Sequence, residues 1–204
     1  MSEQNMWAYE QKYYAQGITY VCGVDEAGRG PLAGPVCAAA VILPKDAEIP
    51  GLNDSKKLTD KRRREMFPVI LEKAVAYGIG FADQKEIDDI NILQATFLAM
   101  QRAIDQLSIK PEIALVDGNR EKDFGVPVET IVHGDSLSAS IAAASILAKV
   151  SRDDIMLEMA NTYPQYGFEI HKGYGTKAHY AALAEHGPCA IHRMSFLKKL
   201  YGTK

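Results

Sequence analysis

The chain is short of cysteine, has no long apolar run and carries no excess of positive charge, and each shortage closes off a class of function. Its three cysteines, Cys22, Cys37 and Cys189, form no Cys-x-x-Cys pair. Two of them fall in predicted strands among apolar neighbours and read as buried structural thiols, not nucleophiles. No apolar stretch approaches the roughly 20 residues needed to span a bilayer. The first residues, Met-Ser-Glu-Gln-Asn-Met-Trp, carry acid and amide groups where an export signal has basic residues before an apolar segment, so a cytoplasmic protein is expected. The net charge of -3 does not advertise a nucleic-acid binder. A global sum hides local asymmetry, however. From residue 168 onward six basic residues (Lys172, Lys177, Arg193, Lys198, Lys199, Lys204) stand against Glu169 and Glu185.

What remains is enough for one α/β domain. A chain of 204 residues, 47% hydrophobic, buries a sizeable core. The reading divides it into a polar lead-in over 1–17, a body over 18–165 and a helical segment over 166–204. The lead-in holds one helical segment, with Trp7 and Tyr14 free to pack on the body.

The most informative stretch is 20–35, Tyr-Val-Cys-Gly-Val-Asp-Glu-Ala-Gly-Arg-Gly-Pro-Leu-Ala-Gly-Pro. Residues 20–24 read as a buried strand that stops at two adjacent acids, Asp25 and Glu26. Ionised carboxylates are costly to desolvate unless paired, hydrogen-bonded or bound to metal, so this pattern points to a cation site. Gly28, Gly30 and Gly34 let the backbone approach a ligand closely, and Arg29 offers a planar fork for phosphate. The glycine spacing misses the dinucleotide fingerprint by one residue, and no Gly-Lys-Ser/Thr follows. On its own the loop reads equally as a glycine-rich hairpin.

Residues 35–43 predict a second strand, antiparallel to the first because the connection is short. Thr59 is a fair N-cap for a helix starting at Asp60. Lys61, Arg62, Arg63 and Arg64 on its first turns oppose the helix dipole, which suits either docked anions or a solvated basic face. A strand interrupted by Gly78 and Gly80 is predicted over 77–82. The helix predicted over 91–107 has the core stripe Leu93, Phe97, Met100, Ile104 and Leu107.

The strand pattern then recurs: 113–117, Ile-Ala-Leu-Val-Asp, ends in Asp117 before Gly118 and Asn119. Another strand over 126–132 leads through His133 and Gly134 to Asp135, where a long helix of small residues is expected to begin. Its face includes Ile141, Ala144, Ser145, Ala148 and Ile155. Strand and helix alternate, which means α/β.

Asp25, Glu26, Asp117 and Asp135 thus lie at or just past predicted strand ends, where ligand sites commonly form in α/β sheets. Gathered together, four carboxylates without His or Cys suit Mg²⁺ or Mn²⁺ and disfavour zinc. Two such ions about 4 Å apart support hydrolysis of a phosphodiester. The competing reading is four unrelated turn acids. Asp153, five turns past Asp135 and roughly 27 Å away on an unbroken helix, cannot share that site. Asp153 and Asp154 read as ion-pair partners for Arg152 and Lys149.

Gly134-Asp135-Ser136-Leu137 also spells the motif of the GDSL esterases. Those enzymes resemble one another in placing it after the first strand, with an Asp-x-x-His pair near the C-terminus. Here it falls at 134, and no aspartate follows Asp154. His133 reads as a packed or surface histidine. Further on, Tyr174 stands between two glycines, either exposed on a turn to stack on a nucleic acid or packed on the core. Short helices are predicted over 176–186 and 195–201.

Asp-Glu-Ala-Gly-Arg-Gly-Pro after a first strand closely resembles the signature of bacterial ribonuclease HII, the type 2 ribonucleases H. Asp-Ser-Lys-Lys-Leu at 54–58, Val-Asp-Gly-Asn-Arg at 116–120, Ser-Ile-Ala-Ala-Ala-Ser-Ile-Leu-Ala-Lys-Val at 140–150, His-Lys-Gly-Tyr-Gly-Thr at 171–176 and His-Arg-Met-Ser-Phe at 192–196 continue the resemblance in order. One departure is His133, where that family often has lysine. The resemblance implies a ribonuclease H-like fold with a mixed central sheet flanked by helices and a small helical C-terminal appendage that binds substrate. It implies a metal site of Asp25, Glu26, Asp117 and Asp135 for two divalent ions. Gly28, Arg29 and Gly30 would read the ribose 2′-OH, Lys56 and Lys57 would contact phosphate, and Tyr174 would stack on the sugar at an RNA-DNA junction. The implied activity is hydrolysis of RNA in RNA/DNA hybrids and nicking of DNA 5′ of single embedded ribonucleotides, leaving 3′-hydroxyl and 5′-phosphate. A monomer is expected, with no membrane partner. The alternatives are a non-catalytic hybrid-binding module and a GDSL-type esterase.

Overall fold

The computed structural model describes residues 5–52 and 55–202, so Asn53, Asp54 and Lys204 lie outside the described residues. A five-stranded sheet forms the centre, with β1 (Val21–Ala27), β2 (Val36–Ile42), β3 (Ala76–Ala82), β4 (Ile113–Asp117) and β5 (Val128–Ile131). Their spatial order is β3-β2-β1-β4-β5. The first three strands pair antiparallel, whereas β4 and β5 run parallel to β1. The sheet is therefore mixed and flanked by helices, and the fold is α/β, as expected.

Successive side chains of each strand leave on opposite faces, which splits the core into two layers. Cys22, Val24, Ala38 and Ala40 face α3 (Gln84–Asp105), while Cys37, Ala39 and Val41 face α2 (Asp60–Lys73) and α4 (Ala139–Thr162). The helices come unusually close because glycine makes room for them. A Cβ on Gly78 would stand 2.1 Å from the Ala103 carbonyl oxygen, and one on Gly80 would stand 2.2 Å from that of Ala99. On the other face, a Cβ on Gly23 would meet the Ser140 backbone of α4 at 2.1 Å. The interruptions in the strand pattern are seats for helices.

Two predicted helices differ in where they start. α3 begins at Gln84, capped by the reciprocal bonds of Asp83 and Glu86, and is kinked at Asn91, whose φ is 67°. Asn91 Oδ1 accepts from the Leu93 and Gln94 amides, so the predicted start at 91 is the cap of the second limb. The face against the sheet is also shifted: Ala95, Ala99 and Ala103 are fully buried beside Met100 and Ile104, while Leu93 and Phe97 sit half-buried at its edge. Small residues win this face because the helix rides on Gly78 and Gly80. The long helix does not begin at Asp135. His133 takes a left-handed conformation (φ 58°), Gly134–Ser136 form one 3-10 turn, and α4 starts at Ala139 with Ser138 as its side-chain cap. It is enclosed on every side over its first turns, not on one face.

The lead-in contains α1 (Ala8–Tyr14), with Trp7 and Tyr14 packed on the body. Buried Glu10 accepts from the Ser138 hydroxyl at 2.6 Å and the Ser140 amide at 2.9 Å, a carboxylate at the start of α4. After α4 come α5 (Phe168–His171), α6 (Lys177–His186) and α7 (Lys198–Tyr201). They bury Phe168, Leu183 and Leu197 against Leu32, Ala33 and Met156. Among the described residues no helix is long and apolar enough to cross a membrane.

Candidate active site

Because β1, β4 and β5 are parallel, their C-terminal ends reach one edge of the sheet. Asp25 and Glu26 lie inside β1, not beyond its end, since pairing with β2 continues to Ala27 and Cys37. The last β1–β4 rung is Val24–Val116, which brings Asp25 alongside Asp117. Asp117 Oδ1 accepts the Gly134 amide at 2.7 Å, tying β4 to the turn that carries Asp135. Any side chain at 134 would obstruct this approach, for a Cβ there would stand 2.6 Å from Ile141 and 3.4 Å from Asp117. All four predicted acids therefore converge from two strands and one turn.

The electrostatics are those of a crowded anionic site. Asp25 and Asp135 are 4% and 3% exposed. Burial, followed by the negative charges of Glu26, Asp117 and Asp135, raises the Asp25 carboxyl well above its ordinary value, although its bond from the Glu26 amide opposes this. Burial raises Glu26 as well, with Arg29 pulling the other way from 3.3 Å. Lys56 Nζ reaches Asp135 at 3.3 Å, while Lys57 donates to Ser136 Oγ at 3.0 Å. Of the two lysines, only Lys56 touches an acid of the site.

A cleft of about 230 Å³ opens over these groups, lined by Asp25, Glu26, Gly28, Arg29, Gly30, Lys56, Asp117 and Tyr174. A second, of about 310 Å³, shares Glu26, Arg29 and Asp117 and runs on to Arg120. Tyr174 is 43% exposed, so it is not a core residue. Gly30 is open toward it, the nearest atom to a Cβ there being Tyr174 Cε1 at 3.8 Å. Gly28 and Gly34 also have a structural role. Cβ atoms on them would stand 1.9 Å from Arg152 Nε and 2.3 Å from Met156 Sδ, so these glycines admit the protein's own side chains.

Other expectations change with the tertiary structure. Arg193 does not belong to an exposed basic tail, being fully buried. Among the described residues Arg152 pairs with no aspartate but donates to backbone carbonyls, whereas Lys149–Asp153 at 2.7 Å is the expected pair and Asp154 pairs with Arg64. The basic first turns of α2 are met by Asp60, Glu65 and Asp154 of the same chain. Ser136 accepts from Lys57, and among the described residues no histidine side chain bonds to it, which leaves the esterase spelling without a base. Cys22 and Cys37 are buried, and burial pushes the Cys22 thiol up to about 12.

Two features escaped sequence reasoning. Lys149, held by Asp153, lines the cleft next to Lys56; only its place one turn before that acid hinted at it. Beneath Tyr174, His171, His179 and His192 are buried and joined. The Cys189 amide donates to His192 Nδ1 at 2.9 Å, so His192 Nε2 carries the proton toward His179 Nε2 at 3.0 Å. His179 Nδ1–H is then free to donate to the Tyr174 carbonyl at 3.0 Å, and His171 Nδ1 accepts the Gly173 amide. Five histidines scattered through the sequence gave no sign that three would meet.

Comparison with known proteins agrees with this architecture. Residues 22–199 match the family Ribonuclease HII. The chain is 56% identical to the ribonuclease HII of Endomicrobium trichonymphae over 94% of its length and 92% of the relative's. It is 55% identical to that of Geotalea uraniireducens over 92% and 87%. Among solved structures, the ribonuclease H2 from Pyrococcus horikoshii superposes with a TM-score of 0.71 at 27% identity, covering 86% of this chain and 93% of that one. The ribonuclease HII of Archaeoglobus fulgidus, solved in complex with PCNA, gives 0.69 at 25% identity, covering 86% and 94%. A sheet whose parallel strands carry acids to one cleft, and relatives that match it nearly end to end, place this chain in the ribonuclease HII family, and by that membership it is an endoribonuclease.

Proposed function

We propose that the enzyme hydrolyses the RNA strand of RNA/DNA hybrids and nicks DNA on the 5′ side of single embedded ribonucleotides, with Asp25, Glu26, Asp117 and Asp135 holding two divalent cations, Mg²⁺ or Mn²⁺. The observation that carries this reading is the single cleft in which Asp25, Glu26 and Asp117 meet Gly28, Gly30 and an exposed Tyr174. The donor set fits the ions. It is all oxygen, which suits hard cations, and the neighbouring acids raise the proton affinity of Asp25 and Glu26, which a bound cation would relieve. Among the described residues no three His, Cys, Asp or Glu side chains stand close enough to hold one ion. When bound, such ions lower the pKa of the attacking water and stabilise the leaving oxygen.

The protein's own groups do the rest. Arg29, beside Glu26, offers its guanidinium to a phosphate oxygen, and Lys56 and Lys149 add positive charge across the cleft. Backbone groups at Gly28–Gly30 would bond the ribose 2′-OH, the atom that separates RNA from DNA. With the 2′-OH so engaged, water is the nucleophile. Its oxygen bonds to phosphorus, the P–O3′ bond breaks, and the products carry 3′-hydroxyl and 5′-phosphate ends.

The test is a labelled DNA duplex with one ribonucleotide, incubated with Mg²⁺, with Mn²⁺ and with chelator. A single metal-dependent cut 5′ of the ribonucleotide is expected. In Tyr174→Ala that cut should weaken by about tenfold or more while cleavage of a continuous hybrid holds, the loss of one stacking contact. Metal-independent binding without products on either substrate would replace the nuclease by a hybrid-binding module.

A further inference from the structure

Two of the largest fully buried side chains in the protein are Arg152 and Arg193. Burying a guanidinium is costly and is normally offset by a carboxylate. Here, among the described residues, all six of their hydrogen bonds end on backbone carbonyls. Arg193 donates to Gly28 at 2.6 Å, Arg29 at 3.0 Å and Gly34 at 2.9 Å. Arg152 donates to Ala33 at 3.1 Å, Pro35 at 3.0 Å and Lys172 at 3.0 Å. Five of the six acceptors belong to the 28–35 loop, and the sixth lies two residues before Tyr174. Gly28 and Gly34 are the residues that let this happen, since a side chain at Gly28 would collide with Arg152 itself. The Arg152 guanidinium also lies 5.8 Å from the Tyr174 ring. Backbone bonds complete the joint, from the Leu32 amide to Gly173, the Gly34 amide to Ile191 and the Arg193 amide to Leu32.

We propose that Arg152 and Arg193 are positioning residues for substrate: from beneath, they fix the backbone of the 28–35 loop and lock it to the segment bearing Tyr174, so that the ribose-reading and sugar-stacking groups form one rigid frame. Neither touches the cleft, and both act through the loop. A planar fork with five donors on three nitrogens can hold carbonyls that stand apart, whereas a lysine's three donors radiate from one nitrogen and an apolar side chain has none. Two like charges under the loop, hydrogen-bonded to no carboxylate among the described residues, also hold it over a positive base that favours phosphate above. The inference rests on the substrate reading proposed above.

The test uses full-length Arg193→Lys and Arg152→Lys, each keeping the charge but losing the fork. Three quantities are read: amide exchange in the 28–35 loop, cleavage of the single-ribonucleotide duplex, and the Mn²⁺ concentration for half-maximal rate. Loop exchange should quicken by about tenfold or more while β1 and β4 stay protected. Cleavage should fall by about 100-fold, the scale of a misplaced positioning contact, with the Mn²⁺ requirement unchanged because the acids have not moved. Unaltered loop exchange overturns the proposal, as does normal cleavage or a raised Mn²⁺ requirement, the last being the mark of general loosening. If neither variant folds, the arginines are structural and the proposal falls. If the wild type cuts neither substrate, the substrate reading fails, while the exchange experiment still decides whether the arginines hold the loop.

Discussion

Asp25 is the residue on which function and stability pull in opposite directions. Its proton affinity is raised by burial and by three neighbouring acids. A carboxyl whose native pKa lies above its unfolded value binds protons on folding, so it lowers stability as pH rises past the unfolded value, with the full penalty above the native one. Asp25→Asn removes that penalty at neutral pH. We expect the variant to lose cleavage and yet to melt higher than the wild type at pH 7, by about 2–4 °C for each kcal/mol recovered. Adding Mn²⁺ should raise the melting temperature of the wild type but barely that of Asp25→Asn. A variant that cleaves normally, or melts lower, would remove Asp25 from the strained cluster. The acids themselves were legible in the sequence because each ends an apolar run. Arg152 and Arg193 were not, because a guanidinium that bonds only to distant carbonyls has no local sequence partner to reveal it.

At the scale of elements, packing distance decides which residues face the sheet. α3 is held against β3 by the absence of side chains at Gly78 and Gly80, not by large apolar knobs. Gly78→Ala would place a methyl carbon 2.1 Å from the Ala103 carbonyl oxygen, which neither backbone can avoid without moving. We expect a loss of about 1–3 kcal/mol in urea unfolding, the usual cost of overpacking. An unchanged midpoint would mean that α3 shifts freely on the sheet. Periodicity located the second limb of this helix but missed its first, because the kink at Asn91 breaks the phase between them. The start of α4 was misplaced for a related reason. Asp135 is a plausible helix cap in sequence, but with a left-handed His133 that turn instead presents the acid to Lys56 and the Gly134 amide to Asp117.

For the molecule as a whole, the C-terminal segment is held together internally by the buried histidines His179 and His192. Burial lowers His179, and burial with the neighbouring His179 lowers His192 to about 4. A base depressed on folding is protonated first in the unfolded chain, so stability present above about 6.5 is lost as pH falls toward 4. The melting temperature should therefore drop over that window, and amide exchange near Tyr174 should quicken with it. His192→Gln should flatten the slope of melting temperature against pH. An equally steep slope in the variant would place the pH sensitivity elsewhere, with the carboxylates the next groups to test.

The sequence by itself determined the α/β class and the strands that end in or lead to Asp25, Glu26, Asp117 and Asp135, while it left Tyr174 either exposed on its glycine turn or packed on the core. Each follows from local rules of apolar periodicity, the cost of a charge after a buried run, and turn chemistry. Only the tertiary structure decided that β1, β4 and β5 would run parallel and bring those acids to one edge. It alone made Gly28 and Gly34 into seats for Arg152 and Met156, took Arg193 out of the basic tail, and gathered three histidines beneath Tyr174. The seats of Arg152 and Met156 and the place of Arg193 depend on contacts between residues more than a hundred positions apart, as between Arg193 and Gly28, and no local pattern encodes which distant carbonyl a buried donor will meet.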